Sequence, residues 1–232
     1  SVNPELQDHF NVLAEKLKKH DFVLDIGSND GILLRPLKKL GVNCLGIDPS
    51  VNVGKIANDE GLETIIDFFT AKSAKKIIEN YGHPDAIVAS SIFTHLEEPK
   101  DFIEALYNLI SSDGDIYIEI EYLSNLIKNF QFERFYFDRP FYYSVTSMKQ
   151  IFKDNGLTLT EVEKISPHGG SLRLTFSKES ANKNIDKSVK EFLNQEKNDF
   201  TKEKINSFQS SINKYIKQLI EILEKYRGKN IV

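Results

Sequence analysis

The segment 23–34, VLDIGSNDGILL, carries residues whose types and spacing suggest chemistry. An apolar run ends in Asp25 and Gly27, and Asn29 and Gly31 follow before the chain turns apolar again. Glycines in a turn between a strand and a helix let a ligand come close to exposed backbone N–H groups. The pattern therefore predicts a binding site for a small-molecule cofactor.

The spacing of this turn favours one class of cofactor. A dinucleotide site is typically G-x-G-x-x-G, whose second glycine makes room for a pyrophosphate. This turn has glycines only at its two ends, and Asp25 and Asp30 would repel phosphates. The same acids suit a cofactor with a cationic amino-acid end, such as S-adenosyl-L-methionine. Asp48 follows the next apolar run, where a carboxylate can accept hydrogen bonds from both ribose hydroxyls.

The residues of this turn have two other interpretations. A nicotinamide-dependent oxidoreductase shares an acid such as Asp48, but it needs no acids in the turn and usually has the middle glycine. An ordinary turn without a ligand would explain the glycines but not the acid at the end of the second strand. The missing glycine and the additional acids favour S-adenosyl-L-methionine over both.

Composition limits the classes of function further. The 232 residues include 30 basic and 34 acidic side chains, which gives a net charge of −4 and no basic face for nucleic acid. The one cysteine, Cys44, excludes a disulfide framework, and the five histidines show no metal-ligand spacing, so no catalytic metal is expected. The absence of a membrane-spanning run and of a signal-peptide pattern predicts a cytoplasmic protein without membrane contact.

The elements that must position these residues alternate between strands and helices. Five apolar runs are predicted as strands: 22–27, 43–50, 62–69, 84–96 and 114–123. The segments between them have helical spacing, and such alternation predicts a mostly parallel α/β sheet covered on both faces. Residues 157–165 and 171–177 predict a hairpin that adds an antiparallel edge.

Three parts are predicted along the chain. Residues 1–20 form an initial helix, residues 21–178 the cofactor-binding domain, and residues 179–232 a helical appendage. Apolar residues recur every three or four positions in the appendage, which predicts two helices that could pair two copies of the chain. The last residues, GKNIV, suggest either a small local strand or a cut before a further domain.

Three segments together resemble class I S-adenosylmethionine-dependent methyltransferases, and more narrowly the sugar C-methyltransferases that act on nucleotide-linked deoxysugars. The segments are GSNDG at 27–31, SSIFTHLEEP at 90–99 and HGGSLR at 168–173. The resemblance implies a Rossmann-like class I methyltransferase fold and S-adenosyl-L-methionine as cofactor. Members of that family usually carry an N-terminal zinc-binding domain and a second Rossmann-like domain, so this chain is expected to be the catalytic core alone.

The resemblance also implies which residues bind the cofactor. Two short segments are assigned to its ends, one that flanks the adenine and one that lies beneath the methionine. The full set is Asp25, Gly27, Asn29 and Gly31 in the turn, Asp48 at the ribose, Asp67, Phe68 and Phe69 at the adenine, and Ser90 and Ser91 at the methionine.

One stretch departs from the family pattern. The family's Tyr-His-Glu-His falls on Tyr136, Phe137, Asp138 and Arg139 in this chain. In the family, the second histidine of this stretch is regarded as the base that removes a carbon-bound proton. The guanidinium of Arg139 cannot replace that histidine, because a guanidinium stays protonated. We therefore expect methyl transfer to oxygen or nitrogen. Arg139 would bind an anionic group of the acceptor or form an ion pair in a lid.

Four residues are candidates for the acceptor site: His95, Tyr136, Arg139 and His168. Either histidine could act as a base, and Tyr136 could hydrogen-bond the acceptor. Of Glu119 and Glu121, which share one face of the fifth strand, one could reach the pocket while the other is solvated or paired.

The expected acceptor is a small polar molecule, either a nucleotide-sugar or a phosphorylated metabolite. Two alternatives are a C-methyltransferase of a nucleotide-linked sugar that uses another base, and a module that binds the cofactor without catalysis. Methyl release with a panel of acceptors would separate an active methyltransferase from such a module.

Overall fold

The computed structural model describes residues 3–167 and 170–229. Within these residues one sheet has seven strands, accompanied by nine α-helices. The strands are β1 (Phe22–Ile26), β2 (Asn43–Ile47), β3 (Thr64–Ile65), β4 (Ala86–Ser90), β5 (Asp115–Glu121), β6 (Leu157–Ile165) and β7 (Ser171–Lys178). The helices are α1 (Pro4–Leu17), α2 (Leu34–Lys39), α3 (Val51–Asp59), α4 (Ala71–Tyr81), α5 (Pro99–Leu109), α6 (Leu123–Lys128), α7 (Val145–Lys153), α8 (Lys187–Asp199) and α9 (Lys202–Lys225).

Five strands of the sheet run parallel, and the last two form an antiparallel edge. The order across the sheet is β3-β2-β1-β4-β5-β7-β6, and β7 is antiparallel to both β5 and β6. The α/β fold with an antiparallel edge hairpin and a C-terminal helical appendage, predicted from the sequence, is confirmed. The strand order reverses between β1 and β4, and ligands of open α/β sheets bind at the carboxyl ends of strands at such a point.

The central strand β1 explains how the first acid of the turn is oriented. All five of its residues are buried, because helices pack on both faces of the sheet. Val23 packs in a cluster with Leu13 and Leu17 of α1, whereas Leu24 belongs to the core on the other face. Side chains alternate along a strand, so Asp25 lies on the same face as Val23, beside α1.

Two regions differ in detail from the expectation. The strand expected within 62–69 forms only at Thr64–Ile65, where the side chain of Asn58 bonds both the N–H and the carbonyl of Thr64. The segment after β5, for which the sequence pattern predicts no helix, begins with the six-residue helix α6. The end of GKNIV, residues 230–232, lies outside the described residues.

The appendage attaches to the domain through α8. The buried carboxylate of Glu196 accepts hydrogen bonds from the backbone N–H groups of Val145 (2.6 Å) and Thr146 (2.8 Å) in the first turn of α7. These donors have no partner within their own helix, so the carboxylate joins two helices and offsets the positive end of α7.

Glu196→Ala is expected to lower the free energy of unfolding by about 2–3 kcal/mol, because it leaves both N–H groups without an acceptor. Urea unfolding measures the change. Glu191→Ala, an exposed glutamate of the same helix, is the matched control and should alter the free energy by less than about 0.5 kcal/mol. An equal loss in both variants would contradict the role of Glu196.

The last helix, α9, has 24 residues and none of them is buried. Apolar side chains along it, such as Ile216, Leu219 and Ile220, are between 41% and 54% exposed. Neither α9 nor any other helix in the described part of the chain is long and apolar enough to cross a membrane.

Candidate active site

The turn after β1 has a backbone that requires its glycines. Gly27 and Gly31 have φ values of 73° and 83°, and Asn29, a residue type that tolerates this region, has 51°. A Cβ on Gly27 would lie 2.2 Å from Cδ1 of Ile92, which follows β4. The N–H of Gly27 donates to the carbonyl of Ile47 at 2.7 Å. The sequence pattern therefore reflects a tight turn packed between the ends of β2 and β4.

A cavity of about 390 Å³ opens beside this turn, at the carboxyl ends of β1, β4 and β5. It is lined by Leu6, His9, Phe10, Asp25, Gly27, Asn29, Asp30, Ile32, Ser90, Ser91, Glu119 and Pro167. Five of the predicted cofactor-binding residues thus meet in one place: Asp25, Gly27, Asn29, Ser90 and Ser91. The helix α1 closes the cavity on one side.

The other predicted cofactor residues lie around the cavity rather than in its lining. Asp48 accepts hydrogen bonds from the N–H groups of Asn29 (3.0 Å) and Ser50 (2.8 Å), one on each oxygen. A carboxylate has about four lone-pair sites, so both oxygens can still accept bonds from ribose hydroxyls. Asp48 therefore also fixes the turn. Gly31 faces Leu62, since a Cβ there would lie 2.4 Å from its Cδ1.

The segment predicted to flank the adenine lies beyond the end of β3. Asp67 accepts a hydrogen bond from the N–H of Phe68, whose side chain is exposed. Phe69 packs edge-on against Phe102 of the core, with ring centroids 5.1 Å apart. Phe68 and Phe69 line a separate surface cavity of about 810 Å³ together with Leu96.

The two deepest acids of the first cavity differ in their electrostatics. Burial raises the pKa of Asp25 well above its usual value, and the nearby Glu119 and Asp48 raise it further. Burial would also raise the pKa of Glu119, but the hydrogen bond from His9 and the charge of Arg173 outweigh it and lower that pKa. Burial thus favours the protonated form of Asp25, whereas His9 and Arg173 favour the ionised form of Glu119.

Two residues that contact Glu119, His9 and Arg173, were not grouped with it from the sequence. The Nε2 of His9 lies 3.0 Å from both carboxylate oxygens of Glu119. Arg173 places Nε and Nη2 2.8 Å from Oε1, and its Nη1 lies 3.3 Å from Glu163. The signal in the sequence was an acid within β5 and an arginine within β7. The antiparallel pairing of the two strands sets Glu119 opposite Arg173.

A second group of predicted residues meets beyond β4. The Nδ1 of His95 lies 2.9 Å from the carbonyl oxygen of Asp138. Arg139 stacks over the ring of Tyr136, 5.0 Å from its centroid. The structure thus brings together His95, Tyr136 and Arg139, while His168 lies outside the described residues.

Glu121 anchors this second group. Its Oε2 lies 2.7 Å from Nη1 of Arg139, and its Oε1 lies 3.2 Å from Nη1 of Arg134. Arg139 therefore forms the ion pair that was one of the two expectations for it. Glu119 lines the cofactor cavity and Glu121 is paired, which agrees with the expectation that one of the two reaches the pocket while the other is solvated or paired; both are buried.

The aromatic segment 130–143 rests on the last helix. Phe130 and Phe135 pack against Phe208 of α9, with centroids 5.7 and 6.3 Å apart, and Phe132 packs against Tyr215 at 5.2 Å. Tyr136, by contrast, is 49% exposed. Across the described ranges, no three His, Cys, Asp or Glu side chains are grouped so that they could hold a metal ion.

The strand order, the antiparallel β7 and the cavity at the carboxyl edge together define a class I methyltransferase fold. Solved structures agree with this class. A magnesium protoporphyrin IX methyltransferase from Synechocystis with bound SAH has a TM-score of 0.58 at 17% identity and covers 77% of this chain and 89% of that one. The CcbJ methyltransferase from Streptomyces caelestis has a TM-score of 0.58 at 11% identity and covers 75% and 90%.

Family comparisons identify the chain more narrowly. Residues 2–162 match a methyltransferase domain, and residues 166–232 match a C-methyltransferase C-terminal domain. The chain belongs to the methyltransferase family, as the sequence predicts. S-adenosyl-L-methionine is the methyl donor that the resemblance implies for this class, so the match supports the predicted cofactor as well.

Two curated relatives illustrate the range of reactions. The C-methyltransferase NovU of Streptomyces niveus is 30% identical over 177 residues, which cover 76% of this chain and 42% of that protein. A mitochondrial ubiquinone biosynthesis O-methyltransferase of Rattus norvegicus is 32% identical over 101 residues, which cover 41% of this chain and 29% of that protein. The chain thus spans less than half the length of these relatives.

Proposed function

We propose that the chain transfers the methyl group of S-adenosyl-L-methionine to oxygen or nitrogen of a small polar acceptor. The observation that carries the choice of atom is the 2.7 Å ion pair between Arg139 and Glu121. Arg139 occupies the position at which the sugar C-methyltransferases have their base, and a paired guanidinium cannot accept a proton. Oxygen and nitrogen acceptors need less help from a base than a carbon acid does.

The cavity beside the turn supports the cofactor. Asp25, Asp30 and Glu119 line it, which favours a ligand with cationic groups over a diphosphate. Asp48 stands at the end of β2, next to the turn, where it would accept hydrogen bonds from the ribose. S-adenosyl-L-methionine supplies the activated methyl group, and the chain's residues orient the two reactants for displacement in line.

His95 is the proposed base. A backbone carbonyl only accepts hydrogen bonds, so the contact with Asp138 requires the proton of the imidazole on Nδ1. In the neutral imidazole with its proton on Nδ1, the other ring nitrogen, Nε2, carries none and can take a proton from the acceptor. Tyr136, half exposed in the neighbouring segment, is proposed to hydrogen-bond the acceptor, and His168 remains a further candidate.

The acceptor is proposed to be phosphate-bearing or sugar-linked. Arg134 and Arg139 both contact the carboxylate of Glu121. The carboxylate of Asp138, next to Arg139 in the sequence, lies 3.5 Å from Nδ1 of His95. Guanidiniums bind phosphate and carboxylate groups with two parallel hydrogen bonds.

Three further predictions stay proposals: the cytoplasmic location, self-association through the appendage, and the division at residues 20 and 178.

Carbon is the second candidate atom. The match of residues 166–232 to a C-methyltransferase C-terminal domain and the similarity to NovU favour it. In that case His95 would have to remove the carbon-bound proton. The two candidates differ in the bond that holds the new methyl group.

Methyl transfer from S-adenosyl-L-methionine labelled with ¹³C in its methyl group tests the proposal. The acceptors are a panel of nucleotide-sugars, sugar phosphates and the matching neutral sugars, and NMR of the product identifies the bond. We expect a methyl group on oxygen or nitrogen and faster transfer to the phosphorylated acceptors. A methyl group on carbon would contradict the proposed atom, and binding of the cofactor without any transfer would favour the non-catalytic module.

A further inference from the structure

Glu119 stands on the wall that separates two cavities. It lines the cofactor cavity with Asp25 and Ser90, while its partner Arg173 lines a second cavity of about 600 Å³ on the other side. His9 of α1 lines both cavities. The three side chains thus form a buried wall, in which Glu119 contributes the negative charge on the cofactor side.

The two oxygens of Glu119 have different contacts. Oε1 receives two nitrogens of Arg173 at 2.8 Å in addition to His9, whereas Oε2 receives His9 at 3.0 Å. The hydroxyl of Ser90, which also lines the cofactor cavity, helps to lower the pKa of Glu119, so the carboxylate is held by His9 and Arg173 and accepts polar donors from the cavity side.

The cationic groups around this wall are shared among several carboxylates. Arg173 is shared between Glu119 and Glu163, and Lys16 is shared between Glu163 and Glu161, at 2.7 Å from each. Two cations and the imidazole of His9 therefore serve three carboxylates, and Glu119 is the one of the three that lines the cofactor cavity.

We propose that Glu119 binds the ammonium of the cofactor's amino-acid end, and that His9 and Arg173 are positioning residues that hold its carboxylate in place. The proposal rests on the proposed function, because it concerns the same cofactor. It explains why a carboxylate is kept ionised on a buried strand at the edge of the cavity. Asp25 lines the same cavity, but its burial raises its pKa, whereas the groups that hold Glu119 lower the pKa of Glu119.

A pair of ligands separates this role from a structural one. S-adenosylhomocysteine has the amino-acid end, and 5′-methylthioadenosine has the same thionucleoside without it. Glu119→Gln is expected to weaken calorimetric binding of S-adenosylhomocysteine by about tenfold to a hundredfold, while affinity for 5′-methylthioadenosine stays within about twofold. Asp115→Asn changes a buried, paired carboxylate at the other end of the same strand, away from both cavities; it is the matched control and should leave both affinities unchanged.

The positioning role has its own test. His9→Ala should weaken binding of S-adenosylhomocysteine alone, and His9→Gln, which keeps a donor, should restore much of it. An equal loss of both ligands in Glu119→Gln, or no loss of either, would overturn the proposal. If Glu119→Gln does not fold, the two His9 variants decide by the same criterion. Failure of the proposed function is distinguishable, because a product methylated on carbon, or no transfer at all, would leave the difference between the two ligands unchanged. An unmodified protein that binds neither ligand would overturn both proposals.

Discussion

Replacing His95 by alanine is expected to lower the rate of methyl transfer by about 10²- to 10⁴-fold. The reason is the hydrogen bond from its Nδ1 to the carbonyl of Asp138, which leaves Nε2 as the proton acceptor. Affinity for S-adenosylhomocysteine should stay within about twofold, since His95 is not part of the lining of the cofactor cavity. Single-turnover kinetics and calorimetry measure the two quantities separately.

The chain offers a matched control for this variant. The Nδ1 of His83 lies 2.8 Å from the carbonyl of Leu109, the same kind of bond, but His83 precedes β4 and so lies at the opposite edge of the sheet. His83→Ala should leave the rate of transfer nearly unchanged. A rate in His95→Ala close to that of the unmodified protein would contradict the assignment of the base.

Asp25→Asn is expected to change stability and binding in opposite directions. Burial raises the pKa of Asp25, so its contribution to folding is fully present at low pH and is lost as the pH rises through the raised value. The neutral amide avoids this loss, and Tm at neutral pH should rise by several degrees. Affinity for the cofactor should fall about tenfold or more, because a carboxylate next to its cationic end is removed.

Thermal unfolding and calorimetry over a range of pH test both effects. In the unmodified protein, ligand-free Tm should fall and cofactor affinity should rise as Asp25 ionises, and both trends should weaken in Asp25→Asn. Asp21→Asn, an exposed aspartate just before β1, is the control and should reproduce the unmodified behaviour. A lower Tm in Asp25→Asn would show that the carboxylate stabilises the empty protein.

The local parts of the fold follow from the sequence. The apolar runs at 22–27 and 114–123 predict β1 and β5, because a strand buried on both faces is apolar along its length. The length of β3 does not follow, since the hydrogen bonds of Asn58 set it through contacts outside the strand. The short helix α6 is missed because it runs directly into a stretch dense in aromatic residues that shows no clean period.

The same distinction holds for the site. Residues of the turn are found because they are close in sequence and each has a conformational or chemical reason at that position. The contact of His9 with Glu119 joins residues 110 positions apart, and that of Glu119 with Arg173 joins residues 54 apart. No local pattern relates such residues, and only the pairing of β5 with β7 and the packing of α1 bring them together.

The spacing of Glu119 and Glu121 on β5 has a consequence for the geometry of the reaction. Glu119 is paired with His9 and Arg173 beside the proposed site of the methyl donor, and Glu121 is paired with Arg139 in the segment proposed to bind the acceptor. Two residues along a strand correspond to about 6.6 Å. All seven residues of β5 are buried, so the strand is held firmly within the sheet. Because this one strand carries both Glu119 and Glu121, a small displacement of it moves the two sides of the proposed active site together.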